Sequence, residues 1–402
     1  MTDPPGPPVP LDELRPAYGI ASLADVLPSA LALLGVPAAA DPLGLRAALP
    51  GVRRVAVLLV DGLGWYQLPL AAPHAPVLAD LAAGRLGAAR RLTCGFPSTT
   101  PTSLVSLGTG AAPGAHGVLG FNVRVPGTTR VLNHVEWRAD PPPRTWQPVP
   151  TAFERAAAAG VAVTVVSRPQ YAGSGLTVAA YRGGEYVGAA DTPAVAARML
   201  AALTAGDGPT LVYGYLPDVD GAGHLHGVDS GPWRAAVRDV DRLLDTLVGA
   251  LPADAALLVT ADHGQLDVPA GYRFDLDADP RLRAGVAVVA GEPRVRYLHA
   301  VPGAVDDVLA AWRGVLGDAA WVVGRDEAVA AGWFGPVPEA HLARVGDVVA
   351  ACRDRYAVLA TSTESDRVGT MVAFHGGGTA VEMSIPLLVC APGGAGDVGG
   401  RG

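Results

Sequence analysis

Apolar and polar positions fall into blocks along this chain. Arg53 to Val60 (RRVAVLLV) is a nearly continuous apolar run, the pattern of a strand buried on both faces. Val161 to Ser167, Thr210 to Tyr215, Ala255 to Thr260 and Ile385 to Cys390 repeat the pattern. Helical patterns lie between them, near Ala75 to Ala83 and over Thr151 to Ala159, Asp191 to Ala205 and Pro232 to Leu251. Strands alternating with helices predict an α/β fold with a doubly wound, mostly parallel sheet covered by helices on both faces. After about Asp267 the texture changes. Arg294 to His299 alternates like a half-buried strand, and Ala304 to Leu316 is an amphipathic helix. Trp321 to Val323 is a short strand, Val337 to Val345 reads as loop and short helix, and Asp347 to Leu359 has room for another strand. The expected organisation is an N-terminal arm with one or two short helices (1–50), a core (51–267 and 370–402) and a small α+β insertion (268–369) that would cap the core. The glycine-rich tail reads as loose.

The polar stretches between these blocks carry the chemistry. Phe96-Pro97-Ser98-Thr99-Thr100-Pro101-Thr102-Ser103 begins as a tight turn and then reads as a helix start, with Pro101 suited to the first helical position. Thr100 therefore sits where unpaired backbone N–H groups and the positive helix end favour an anion; taken alone, the same hydroxyl is equally a helix cap. The first strand ends in Asp61-Gly62-Leu63-Gly64 and the third in Asp218-Val219-Asp220-Gly221-Ala222-Gly223-His224-Leu225-His226. The fourth ends in Asp262-His263-Gly264, and His375-Gly376-Gly377-Gly378 precedes the last. Strand ends of a parallel sheet share one edge, where open α/β sheets bind ligands. Collected there, Asp61, Thr100, Asp220, His224, Asp262, His263 and His375 form a mixed Asp/His set suited to zinc, and also to manganese or iron. Asp220 and His224 would share a face if helical, but Gly221 and Gly223 favour a loop. Asp218 and His226 are spare ligands beside them. His74, His116, His134, His299 and His341 have no such company and read as structural or surface residues.

Composition narrows the partners. The chain has 402 residues, half of them hydrophobic, enough for a large core and two or three domains. Only 17% are charged and the net charge is -8, with no basic cluster interleaved with aromatics, which argues against a nucleic-acid scaffold. A small anionic substrate stays compatible, because bound cations reverse the local field. Cys94, Cys352 and Cys390 are far apart in apolar company and read as buried free thiols. Met1 to Pro10 is acidic and proline-rich, and the apolar stretch Val26 to Ala40 is broken by Pro28 and Pro37. Neither reads as a signal peptide or membrane span, so the default compartment is cytoplasmic. The oligomeric state is not legible.

Taken in order, the five motifs resemble the alkaline phosphatase superfamily, most closely its nucleotide pyrophosphatase/phosphodiesterase branch. These are the strand-end Asp61-Gly, Phe96-Pro-x-x-Thr100, Asp220-x-x-Gly-His224, Asp262-His263-Gly264 and His375-Gly. The resemblance covers about Val55 to Val389 apart from the insertion. It implies two divalent metal ions, most simply zinc, one held by Asp61, Thr100, Asp262 and His263 and the other by Asp220, His224 and His375. It also implies in-line attack by Thr100, a phosphothreonine intermediate, and hydrolysis of phosphodiester or pyrophosphate bonds in a small phosphorylated substrate such as a nucleotide. A phosphomonoesterase or phosphonate hydrolase of the same superfamily is the alternative. A catalytically silent metal-dependent binding protein is a second alternative, against which the complete nucleophile and ligand set stands. The branch usually places an aromatic, a proline and a phosphoryl-binding Asn after its nucleophile. Here Pro101, Thr102 and Ser103 follow Thr100, leaving that role open to a backbone N–H, Thr102, Ser103 or Asn122. Arg168 and Arg182 stand on loops that could reach the site. Sulfatases and cofactor-independent phosphoglycerate mutases fit the motifs less well.

Overall fold

The computed structural model describes residues 13–392; the glycine-rich tail and the first dozen residues of the expected arm lie outside the described residues. Eleven strands matter for the site. In chain order, β1 is Arg54–Val60, β2 Ala88–Thr93, β3 Ala162–Ser167, β4 Glu185–Gly188, β5 Thr210–Leu216 and β6 Ala255–Thr260. They continue with β7 Val286–Glu292, β8 Val295–Ala300, β9 Ala320–Gly324, β10 Val348–Cys352 and β11 Ser384–Cys390. Seven of them form one sheet in the order β2-β11-β6-β1-β5-β3-β4. Its centre is parallel: β1 pairs with β5 and β6, and β3 with β5 and β4. Val55 to Val60 is fully buried between helical layers, and burying each Val or Leu side chain contributes about 1.5–3 kcal/mol. The floor of the site is thus stabilised by apolar packing rather than by the polar groups it carries.

Three of these strands were not legible as strands, β2, β4 and β7; the first two are the edges of the seven-stranded sheet, and β7 is an edge of the smaller one. Ala-Ala-Arg-Arg-Leu-Thr and Glu-Tyr-Val-Gly lack the apolar run of the interior strands because one side of each has no neighbour to bury against. The last strand differs in direction: β11 runs antiparallel to both β6 and β2. Ser384, its first residue, lies opposite Thr93, the last residue of β2. The segment before β11 and the segment after β2 therefore meet at the edge where β1, β5 and β6 end. The stretch around Asn122 folds into a short hairpin that pairs Asn122–Arg124 with Val131–Asn133.

The second sheet, β7-β8-β10-β9, is antiparallel throughout and lies within residues 268–369. It packs on the Val305–Leu316 helix through Val308, Trp312 and Leu316, with its own apolar core. Residues 13–50, expected as an arm, carry Leu23, Val26, Leu27, Ala30 and Leu31 into the principal core. Tyr18 accepts a hydrogen bond at its hydroxyl from the Phe96 N–H, so this segment also braces the turn that leads to Thr100. Cys94, Cys352 and Cys390 are buried free thiols, as expected. No helix among the described residues is long and apolar enough to cross a membrane.

Candidate active site

The ends of β1, β5 and β6 deliver Asp61, the helix Asp218–His226, and Asp262-His263 to one edge. Asp218–His226 is the clear correction to the sequence reading: it is a helix, not a loop, and it sets Asp220 and His224 one turn apart on one face. Gly223 is there for close approach, not as a breaker, because a Cβ at that position would stand 1.9 Å from Gln265 Oε1. Gly62 serves the same purpose beside Asp61. It adopts φ +72°, and a Cβ there would meet the Asp220 backbone at 2.9 Å.

Thr100 opens the Thr100–Thr109 helix, with Thr99 rather than Thr100 at the N-cap and Pro101 one position later than expected. Thr99 makes no capping hydrogen bond. The amides of Thr100 and Thr102 thus belong to the first turn, which lacks intrahelical acceptors. The Thr100 hydroxyl points at His263, with Oγ1 3.2 Å from Nε2.

The ligand candidates share one arrangement. Each of the three carboxylates has one oxygen held by the protein and the other turned inward. Asp262 Oδ1 accepts from the Gly62 and His263 N–H groups, leaving Oδ2 3.2 Å from His263 Nε2. Asp61 Oδ2 accepts from the Tyr215 hydroxyl, leaving Oδ1 3.4 Å from the same Nε2. Asp220 Oδ1 accepts from Gln265 Nε2 at 2.6 Å, leaving Oδ2 3.3 Å from His224 Nε2. The imidazoles follow the same rule. Nδ1 of His224, His263 and His375 faces the backbone carbonyl of Ala373, Gly264 and Ser98, at 2.7, 3.2 and 3.0 Å. An Nδ1–H donor to each carbonyl leaves Nε2 as a lone pair.

That arrangement tests the fit of a metal. Nε2 of His224 and Nε2 of His375 lie 3.1 Å apart. Two lone pairs cannot hydrogen-bond each other, but both can bind one cation. Asp61 Oδ1 and Asp262 Oδ2 are buried without a hydrogen-bond partner, a costly state for a carboxylate unless a cation faces it. Asp220, His224 and His375 lie close enough to share an ion, and so do Asp61, Asp220 and His263. Asp220 thus stands between two clusters, with Thr100 and Asp262 completing the second around His263. Burial, then the charges of Asp262 and Asp220, push Asp61 well above the usual carboxylate range. Burial likewise raises Asp262 and Asp220 and lowers His263 and His375. A divalent cation among them opposes the upward shifts of the three carboxylates and reinforces the downward shifts of the two imidazoles, so it favours the ligating form of both.

Residues 55–377 match the family model for type I phosphodiesterase / nucleotide pyrophosphatase. The chain belongs to that family. It is a phosphodiesterase/pyrophosphatase-like hydrolase of the alkaline phosphatase superfamily, and the family is metal-dependent. Among solved structures it is similar to murine ectonucleotide pyrophosphatase / phosphodiesterase 5, with TM-score 0.67 and 19% identity over 84% of this chain and 88% of that one. An inactive Thr-to-Ala variant of the murine protein, in complex with AMP, matches with the same TM-score at 20% identity over 85% and 88%. Phosphonoacetate hydrolase from Sinorhizobium meliloti, in complex with phosphonoformate, matches with TM-score 0.63 and 20% identity over 85% and 90%. No curated protein sequence matches.

The remaining candidates of this phosphodiesterase-family chain separate. Ser103 donates its hydroxyl to the Asp262 carbonyl at 2.7 Å and is structural. Thr102 is buried with its hydroxyl unpartnered. Asn122 sits half-buried in the hairpin opposite Asn133. Arg168 pairs with Asp218 at 2.6 Å, at the start of the helix that carries Asp220, and Arg182 pairs with Glu154. His226 is exposed. His116, His134 and His341 hydrogen-bond Ser106, Trp146 and the Gly114 carbonyl in the interior. Sequence reasoning missed Tyr215 and Gln265, the residues that hold the outer oxygens of Asp61 and Asp220. Both stand in or next to recognised motifs, yet neither side chain carries chemistry that would draw attention.

Proposed function

We propose that the chain hydrolyses phosphodiester or pyrophosphate bonds of small nucleotide-like substrates, with Thr100 as the nucleophile. The observation that carries this reading is the Thr100 hydroxyl, at a helix N-terminus, facing a ring of inward-turned carboxylate oxygens and imidazole lone pairs. Asp61, Asp262, His263 and Thr100 would hold one ion and Asp220, His224 and His375 the other, zinc by preference for this mixed Asp/His set. Bound there, such ions supply Lewis acidity that lowers the pKa of a hydroxyl and neutralises charge on the phosphoryl oxygens. The Thr100 hydroxyl loses its proton to solvent, Oγ1 attacks phosphorus in line, the ester or anhydride oxygen leaves and takes up a proton from solvent, and a phosphothreonine forms. The Thr100 and Thr102 amides at the helix start face the phosphoryl group and orient it. Water then attacks from the vacated side, phosphorus is inverted a second time, and the Thr100 hydroxyl is regenerated.

The AMP complex of the murine relative supports a nucleotide-derived substrate. The phosphonoacetate hydrolase neighbour supports a second reading, cleavage of a phosphonate. Residues 268–369 are read as a cap that shapes substrate choice, and the three buried thiols fit a cytoplasmic setting. The test is hydrolysis of bis-p-nitrophenyl phosphate, p-nitrophenyl phosphate and phosphonoacetate, each with added zinc and with chelator. Diester turnover that chelator abolishes is the expected result. Preference for the monoester, or phosphate release from phosphonoacetate alone, would replace it with one of the alternatives. Binding of two ions without turnover of any substrate would favour the silent binding protein.

A further inference from the structure

Arg294 and Glu382 form a fully buried ion pair, each side chain at 0% exposure. The guanidinium makes two hydrogen bonds to the carboxylate, Nε to Oε1 at 2.9 Å and Nη2 to Oε2 at 2.7 Å. Neither residue belongs to the ligand clusters, and the reaction described above uses neither. Their surroundings tie them to it. Arg294 comes from the 268–369 insertion, where it also donates to the carbonyls of Asp354 and Tyr356. Glu382 belongs to the core segment just before β11. Its Oε1 accepts the Gly377 N–H at 2.8 Å and its Oε2 accepts the Thr379 hydroxyl, so its carboxylate closes the turn that follows His375. On the other side of that turn, Ser98 Oγ accepts from the Gly376 N–H and donates to the Gly377 carbonyl, while the Ser98 carbonyl receives His375 Nδ1. The orientation of the His375 ring is therefore fixed between the turn before Thr100 and the Glu382 carboxylate.

We infer that Arg294 and Glu382 are a positioning pair through which the insertion sets the His375 turn, and with it the metal affinity of the Asp220–His224–His375 cluster. The inference rests on the metal reading proposed above. A buried ion pair is poor evidence for stability, since an apolar pair of similar size often serves as well. Its retention here is accounted for by the hydrogen bond to Gly377, which an apolar pair would forfeit. The pair makes the insertion part of the site's support and not only a lid over it.

The test measures zinc stoichiometry and affinity by chelator competition on the full chain, with thermal melting alongside. Two bound ions in the wild type are the precondition; their absence would defeat the metal reading itself and is recognised before any variant is compared. In Glu382→Met, which removes the acceptor of the Gly377 N–H, affinity at one of the two sites is expected to fall by about 10-fold, the low end for outer-partner losses, because Glu382 reaches His375 only through the turn. The same substitution in a His375→Ala background should add no further loss. The Arg294→Met/Glu382→Met double variant removes the stranded charge. Recovery of melting temperature with second-site affinity still low supports positioning. Recovery of both together, or unchanged affinity in Glu382→Met, overturns it. If Glu382→Met does not fold, the double variant decides by the same two readouts.

Discussion

The two candidate ligand clusters meet at one sheet edge but are built by different means. Asp61, Asp262 and His263 stand at the ends of the neighbouring strands β1 and β6, with side chains 4%, 0% and 0% exposed. Asp220 and His224 ride on a helix and His375 on a glycine-rich turn, at 15%, 15% and 7%. The first cluster inherits its rigidity from a hydrophobic core that would exist without it. The second depends on outlying contacts: Gln265 to Asp220, the Ala373 carbonyl to His224, Ser98 to His375 and Arg168 to Asp218. The first half is thus set by the sheet itself, and the second by individual side-chain and carbonyl contacts that single substitutions can remove. The stacked His263 and His375 rings, 3.6 Å between centroids and 15° from parallel, mark where the halves join.

The largest expected effect lies at the junction of the two. Thr100→Ala should lower kcat by at least about 10³-fold while both ions stay bound, since the carboxylates and imidazoles are untouched. Wild-type turnover in that variant removes Thr100 as nucleophile, and simultaneous loss of both ions would mean its hydroxyl chiefly organises the site. Next come His263→Ala and His375→Ala compared side by side. Each should reduce bound metal from two ions toward one, read by elemental analysis after exhaustive dialysis. The ion retained by His375→Ala should be the tighter, because it sits in the strand-end cluster. The reverse order of affinities would break the contrast between the sheet-set and the contact-set halves.

How much of this was legible in sequence follows the same division. β1 and β6 announce themselves as apolar runs ending in Asp, so Asp61, Asp262 and His263 were readable one strand at a time. The second cluster was readable only through motif order, and its local structure was misjudged at Gly221 and Gly223. A glycine demanded by close approach looks the same in sequence as one that ends a helix. The edge strands β2 and β4 escaped because burial on one side leaves a weak pattern. The direction of β11 escaped because an apolar run carries no direction. Tyr215 and Gln265 act by occupying the outer oxygens of ligands, a role visible only once distances are known.

Those outer partners set the smaller effects. Tyr215→Phe removes the donor to Asp61 Oδ2 and leaves that oxygen buried and unpaired. Zinc affinity of the strand-end cluster should fall by about 10-fold, at the low end for outer-partner mutations, with the Asp220–His224–His375 ion unaffected. A loss confined to the other ion would show that Asp61 serves the helix-borne cluster through Asp220.

Arg168→Ala should have the smallest effect and decides between two roles. The guanidinium sits against Asp218, whose side chain is 44% exposed, and pairs this open contribute only about 0–1 kcal/mol. Its loss as an anchor of the Asp218–His226 helix should loosen second-site metal binding by a few-fold at most, and KM at saturating zinc should not change. If Arg168 instead leaves Asp218 to contact the phosphoryl group of a bound substrate, KM should rise by about 10-fold or more with metal affinity constant, the worth of a charge-assisted hydrogen bond. Asp218→Asn separates the two further. As an anchor it should repeat the Arg168→Ala result, whereas freeing Arg168 for substrate should lower KM. The geometry favours the anchor, because the 2.6 Å contact already satisfies the guanidinium within the protein.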